Sequence, residues 1–353
     1  MKIATLSNAA VAHTQRWVEF FRSRGHEVRV WSLEPGPPGF PIEPLPALPL
    51  PGVLRYPLSV PALRAALARF APDVIDAHFV PNYGLMGALS GRHPLVVSAW
   101  GSDLLLTARR NALQRARARF VLRRAEGVIA DGENLAVAAR ELAGDTPVHM
   151  VPWGVDLTRF RRGASREPGL LFSTRMHEPV YDLATVIRGS RAELERDANA
   201  RLVIAGDGSL RGSLERLAAS ELPSGRYEFI GRIGRADMVS WLGRAEVCIS
   251  ASLSDSTSQS LIESMACGAI PVVSDIEGNR AWVSAGEGAR LFAAGEPQAL
   301  ARALREARAD LAWIAAARLR NRDRVERDGD AVKNLGRVEQ LFEALALAAR
   351  ERA

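Results

Sequence analysis

The densest group of residues able to do chemistry lies between Ser250 and Asp275. Two carboxylates, Asp255 and Glu263, bracket a run of small polar side chains: Ser256, Thr257, Ser258, Gln259 and Ser260. The apolar stretch 245–250 before them reads as a buried parallel strand, and Ile270–Ser274 after them as another. A helix opening at Ser260 and closing at Gly268, with Pro271 beyond, joins the two. A loop of small residues entering a helix after a parallel strand is a natural anion site. Free amides and the positive end of the helix dipole both favour phosphate there. Glu263 admits two readings. Ser260-x-x-Glu263 has the spacing of a capping box. The same carboxylate, in the first turn, would also face whatever the helix end holds, and could accept hydrogen bonds from the ribose hydroxyls of a nucleotide.

Three further polar residues follow predicted strands in the first half. His13 lies in the loop after Lys2–Leu6, His78 ends the strand 73–78, and Asp103 follows the strand 95–99 through Trp100-Gly-Ser. Open α/β sheets place ligands at the carboxyl ends of their strands, so His78 and Asp103 arrive on one rim. Each alone is more often structural. The first βαβ unit carries no G-x-G-x-x-G, so a dinucleotide reading lacks its fingerprint. Gly206-Asp-Gly208 follows the strand 201–205, but βα turns need glycine for their own geometry. Asp328-Gly-Asp330 has a metal-binding form; it falls between two helices and reads as a turn and an N-cap, so no metal site is expected.

The elements that must position these groups alternate between strand and helix, as in doubly wound α/β domains. The 353 residues suffice for two such domains. Ten of the 20 prolines lie between Pro35 and Pro61, which argues against regular helix there. A helix is expected over 82–90 and another over 107–126. The second carries seven arginines spread around its axis, a pattern of a solvated surface more than of a membrane-lying face. Residues 161–168 read as a linker, and a helix over 331–352 closes the chain. No apolar run approaches the roughly 18 residues of a membrane span, and the N-terminal apolar run is too short for a signal peptide, so a cytoplasmic location is expected. Cys248 and Cys267 read as core residues. The net charge is +6, with 46 basic residues of which only Lys2 and Lys333 are lysine. That excess suits anionic ligands such as nucleotide diphosphates or lipid headgroups. No nucleic-acid motif accompanies it.

Asp255-x7-Glu263 followed by Ser-Met-Ala-Cys-Gly-Ala-Ile-Pro-Val-Val resembles the acidic E-x7-E signature of family 4 retaining glycosyltransferases, with Asp in place of the first Glu. Pro152-Trp-Gly-Val-Asp-Leu-Thr-Arg-Phe160 is similar to the family's Pro-x-Gly-Val-Asp-x-x-x-Phe segment. The Trp100-Gly-Ser-Asp103 loop resembles one branch, in which Trp100 replaces the usual second histidine. The family's Gly-Arg…Lys-Gly donor motif is present only as Arg175, with Val180 and Tyr181 where Lys-Gly would stand. The resemblance implies a GT-B fold, two doubly wound Rossmann-like domains facing across a cleft. The domains would be 1–160 for the acceptor and 169–328 for the donor, with 331–353 crossing back to the first. It further implies a metal-independent retaining transfer of a sugar, with no cofactor, from a UDP- or GDP-sugar to a hydroxyl acceptor. In that reading Arg175, Gly206, Gly208, Arg232, Ile233, Ser256–Ser260 and Glu263 hold the donor. Asp255, His78 and Asp103 face the reacting sugar, and His13 and Trp100 lie on the acceptor side. A lipid-linked acceptor and peripheral contact with the inner face of the membrane fit the basic charge. The missing Lys-Gly keeps two other readings open: a sugar-nucleotide epimerase of the same fold, and a non-catalytic nucleotide-sugar-binding homologue.

Overall fold

The computed structural model describes residues 1–46, 50, 52–163, 165–284 and 286–352. The chain divides into two compact units, 1–152 with 332–353, and 153–331. Among the described residues, the first unit holds strands β1 (Lys2–Leu6), β2 (Glu27–Ser32), β3 (Ile42–Pro44), β4 (Val74–His78), β5 (Leu95–Ser98), β6 (Gly127–Ala130) and β7 (Val148–Met150). They form one parallel sheet in the order β3-β2-β1-β4-β5-β6-β7. The order reverses between β1 and β4, the switch point at which such sheets take ligands. The pairings Leu6↔Ala77 and His78↔Ser98 bring the exits of β1, β4 and β5 side by side. Strands β4, β5 and β6 are buried throughout, as a sheet covered by helices on both faces requires.

The second unit holds β8 (Leu170–Thr174), β9 (Arg201–Ala205), β10 (Tyr227–Gly231), β11 (Val247–Ser250), β12 (Ile270–Ser274) and β13 (Arg290–Phe292). These too form a parallel sheet, in the order β10-β9-β8-β11-β12-β13. The reversal lies between β8 and β11, so the loops after Thr174 and Ser250 meet at its edge. Two doubly wound α/β domains are what the alternation predicts.

The boundary differs from expectation. Residues 153–160 belong with the second unit, because Val155 and Phe160 are buried against Leu170 and Phe172. The closing helix Ala331–Glu351 returns to the first unit, where Leu335, Val338 and Phe342 join a cluster with Ile3, Trp17 and Phe21. Phe342 stacks on Phe21 at 5.3 Å.

Three helices depart from their expected positions. The proline-rich stretch, whose residues 47–49 and 51 lie outside the described part, does contain a helix, Gly52–Leu58, and leads into another, Val60–Phe70. Pro61 falls in the first turn of the second, where a missing amide costs little, whereas Pro57 lies inside the first and removes one intrahelical donor from its last turn. The helix expected over 82–90 begins as a π-helical turn, Phe79–Gly84, and becomes regular over Leu85–Ser90. The arginine-rich helix is shorter, Ala112–Leu122, because Asn111 caps it by accepting the amide of Gln114 at 2.9 Å. A π-helical turn, Asp103–Thr107, precedes it. Cys248 and Cys267 are free and buried, and burial pushes both thiols up to about 12.

Candidate active site

The helix Gln259–Cys267 leaves β11 through the hydroxyl-rich loop and is held at both ends. At its C-terminus, Gly268 adopts the left-handed conformation. The last carbonyls there accept arginines: Ala266 from Arg322 at 3.1 Å, Gly268 from Arg318 at 3.0 Å, and Cys267 from Arg166. Cations at that end complement the dipole. Burial, with Arg318 and Arg162 nearby, lowers Arg166 to about 10.

At the N-terminus the capping residue is Ser258, and its side chain caps nothing. Ser260 is the second helical residue and Glu263 lies in the second turn, so the capping-box reading of Ser260-x-x-Glu263 is not realised. The helix starts earlier than the spacing suggests, and the carboxylate sits too far along to reach back to the cap. Glu263 is partly buried.

Ser258 Oγ and Ser260 Oγ lie 3.0 Å apart, and both accept Nη1 of Arg175 at 3.2 Å. Nη2 of Arg175 donates to Asp255 Oδ2 at 2.5 Å. Arg175 Nε is buried and has no partner. The side-on fork of the guanidinium is therefore half filled. One prong holds a carboxylate oxygen, and the donor of the other is unbonded. Tyr181 lies over the guanidinium, 4.2 Å from ring centroid to Cζ. Ser256, Thr257, Ser258 and Ser260 are all buried, and Thr257 Oγ1 accepts Nε1 of Trp282 at 3.4 Å. The amide of Gln259 is enclosed with neither atom bonded.

Beside this cluster is a cavity of about 330 Å³. Met176, Ile233 and Met238 supply its apolar walls, and Gly206, Asp207 and Arg232 its polar edge. Gly206 has φ +117°, and a Cβ there would stand 2.2 Å from the carbonyl oxygen of Arg175. At Gly208 a Cβ would stand 2.6 Å from the carbonyl oxygen of His177. Both glycines are thus required by the close approach of two loops. Glu178 fastens the same loops, accepting the Ser209 amide at 2.8 Å and its hydroxyl at 2.6 Å. Arg232 is largely exposed, 3.9 Å from Asp207.

His177, which sequence reasoning passed over, is fully buried beneath the Gly206–Gly208 turn, with no well-formed hydrogen bond at either ring nitrogen and the Ala205 backbone its nearest polar partner. Burial, reinforced by the positive charge of Arg211, lowers its pKa. Its edge-on contact with Phe229, at 5.8 Å, accounts for the ring's position. No spacing rule marks His177 or Tyr181. Both belong to the stretch in which the expected Lys-Gly is absent.

In the first unit, His13, His78, Trp100 and Asp103 do gather at the exits of β1, β4 and β5. His13 lies in the helix Ala12–Ser23 rather than in a loop, edge-on to Trp100 at 6.0 Å. His78 was expected on an open rim and is instead buried. Its Nε2 lies 2.8 Å from Asp76 and its Nδ1 3.1 Å from Ser7 Oγ. Ser7 in turn bonds Thr14 at 2.7 Å, and Ser98 donates to Asp76 at 3.1 Å. The rings of Trp17 and Trp100 pack against His78 at 5.1 and 5.6 Å. Asp103 is also buried rather than open, because its carboxylate accepts the amides of Val80, Trp100 and Leu104. Burial raises its pKa despite those bonds.

Each unit matches a family of its own. The model described as "Glycosyl transferase 4-like" matches residues 2–132, and "Glycosyl transferases group 1" matches residues 167–310. The chain is a GT4-type glycosyltransferase. This glycosyltransferase is 27% identical to the phosphatidyl-myo-inositol mannosyltransferase of Mycobacterium tuberculosis, over 83% of this chain and 81% of that one. It is 28% identical to the GDP-mannose-dependent alpha-(1-6)-phosphatidylinositol dimannoside mannosyltransferase of the same organism, over 74% and 72% of the two chains. Its fold is that of sucrose-phosphate synthase from Thermosynechococcus elongatus, with a TM-score of 0.86 at 18% identity, covering 99% of this chain and all of that one. The GT-B architecture expected from the sequence is thereby established.

Proposed function

We propose that the glycosyltransferase binds the diphosphate of a UDP- or GDP-hexose at Arg175 and transfers the hexose, with retention of configuration and without a metal, to a lipid-linked hydroxyl. The observation that carries the donor site is the half-filled Arg175 fork at the N-terminus of the 259–267 helix. A departing nucleoside diphosphate gains negative charge. Arg175, the amides at the helix end and the dipole would stabilise that charge before it forms, without reorganisation. Asp255 occupies the anion position in its absence and would then be displaced toward the sugar. The apolar walls of Met176, Ile233 and Met238 suit the faces of a nucleobase, and Glu263 would accept the ribose hydroxyls. Arg232 is at hand to supply a second positive charge.

In this reading His78 and Asp103 position the acceptor side rather than act on the sugar, since both are buried and bonded. Trp100 and His13 are the side chains left to meet an acceptor. Retention rests on the likeness to family 4. A lipid acceptor is favoured by the relatives that glycosylate phosphatidylinositol species. It is favoured also by exposed apolar groups beside arginines: Leu106, Leu113 and Phe120 next to Arg109, Arg110 and Arg119. Such a surface suits the inner face of the membrane. No helix among the described residues is long and apolar enough to cross it.

Calorimetric titration of UDP and GDP in the presence of a chelator tests the donor site. Arg175→Ala and Glu263→Ala should each weaken binding by about 1.5–3 kcal/mol, the range for hydrogen bonds to charged groups. Unchanged affinity in Arg175→Ala would discard the site. The anomeric configuration of the product, read by NMR, decides retention.

A further inference from the structure

We propose that Tyr181 is a positioning residue for Arg175, and that its ring does by rigidity what a second cation would do by charge. The inference rests on the donor-site reading above.

The guanidinium is a flat group with two faces and a bonding edge. Tyr181 covers one face at 4.2 Å. Ser258, Ser260 and Asp255 engage the edge. An arginine side chain is long and has many rotamers, and only a fixed one offers its fork without first being ordered. A ring over its face restricts it, excludes water from that side and favours the cation through the ring quadrupole.

The turn that carries the ring is firmly held. It ends a 3₁₀ turn, Pro179–Tyr181, whose start is set by the proline. The carbonyl of Val180 accepts the amide of Leu253 at 2.8 Å, which ties the turn to the loop that carries Asp255. Glu178, before the turn, is bonded twice to Ser209. Asp182, after it, caps the helix Leu183–Arg196 and accepts the Thr185 hydroxyl at 2.6 Å. The turn is thus fastened on both sides, and Tyr181 is its one aromatic side chain. Tyr181 stands in place of the Gly of the missing Lys-Gly, so the departure from that motif carries its own compensation.

The test is a double-mutant cycle on the full chain, read as the Kd of UDP and GDP and as KM and kcat for the better nucleotide's hexose donor. Tyr181→Phe keeps the ring face and should stay within about twofold of wild type. Tyr181→Leu should weaken nucleotide binding about tenfold and raise KM in step, with the unfolding midpoint unchanged. In the Arg175→Ala background, Tyr181→Leu should cause no additional loss, because it acts only through the guanidinium. Wild-type affinity in Tyr181→Leu overturns the proposal. So does an equal loss in Tyr181→Phe, which would give the role to the hydroxyl, and so does a loss that persists without Arg175. If Arg175→Ala alone leaves affinity unchanged, the donor-site reading falls, and this inference falls with it.

Discussion

The carboxylate of Asp103 accepts the main-chain amide of Trp100 through both oxygens, each at 3.1 Å. One acidic side chain thereby fixes the loop that presents the indole. Asp103→Ala removes the carboxylate that accepts the amides of Val80 and Trp100, while the Leu104 amide keeps its bond to the Gly101 carbonyl at 3.2 Å, and should cost about 2 kcal/mol or more in chemical denaturation. Asp103→Asn, which retains one accepting oxygen, should cost less. The folded pKa of Asp103 is raised. Its contribution is therefore fully present below the ordinary carboxyl range and is lost as pH rises through the folded value. The wild type's advantage over Asp103→Asn should be largest below the ordinary carboxyl range and shrink as pH rises through the folded value.

His177→Phe should not destabilise the second unit. The imidazole is enclosed with no well-formed hydrogen bond, Ala205 being its one backbone neighbour within reach, a cost of about 1–3 kcal/mol, while Phe keeps the contact with Phe229. A net gain of about 1 kcal/mol is expected after some overpacking. Because the folded pKa of His177 is depressed, wild-type stability holds above the usual histidine range and falls as pH drops through it. That slope, beginning as pH falls below the ordinary histidine range, should be missing from the variant's thermal unfolding profile.

Gly206→Ala should damage the donor site first. It forces a side chain into positive φ and against the Arg175 carbonyl, a strain of about 1–3 kcal/mol. Nucleotide affinity should fall with a modest change in the unfolding midpoint. A variant that binds UDP or GDP normally would show that the 206–208 turn has room this geometry denies it.

Glu339 fastens the closing helix to the first unit through His26 at 2.7 Å and Arg24 at 3.1 Å. Burial pushes its carboxyl up, but the bonds from Arg24 and His26 outweigh it and hold the pKa below the ordinary range. The stabilisation is present above that range and is lost as pH falls through the folded value. Glu339→Gln should lower the unfolding midpoint at pH 7 by roughly 2–4 °C, the shift that about 1 kcal/mol gives a domain of this size. The difference from wild type should vanish on acidification through the folded value, below the ordinary carboxyl range.

Much of this was legible in the chain because strands and their exits leave a strong mark. The apolar runs ending at His78 and Ser250, and the polar residues after them, led directly to the two switch points. Glu263 shows where such reading stops: a start at Gln259 instead of Ser260 moves the carboxylate out of the capping position. His13 shows the same for a loop that becomes helix early. His78 and Asp103 were correctly gathered, yet nothing in their spacing told that Ser7, Asp76 and three amides would enclose them. Tyr181 was hidden for another reason. A ring lying on a guanidinium is a tertiary contact, and a search for Lys-Gly passes over whatever replaces it.

The return of the closing helix sets an order on how the molecule can be made. Phe21, Trp17 and Ile3 leave the ribosome early, but their partners Leu335, Val338 and Phe342 are translated last. At typical synthesis rates an apolar face of the first unit stays uncovered for roughly 10–40 s while the second unit is built. During that interval the nascent chain offers a ready surface to chaperones. A stop codon placed before residue 335 would leave it bare for good, yielding a protein whose second unit is whole and whose first unit is prone to aggregate.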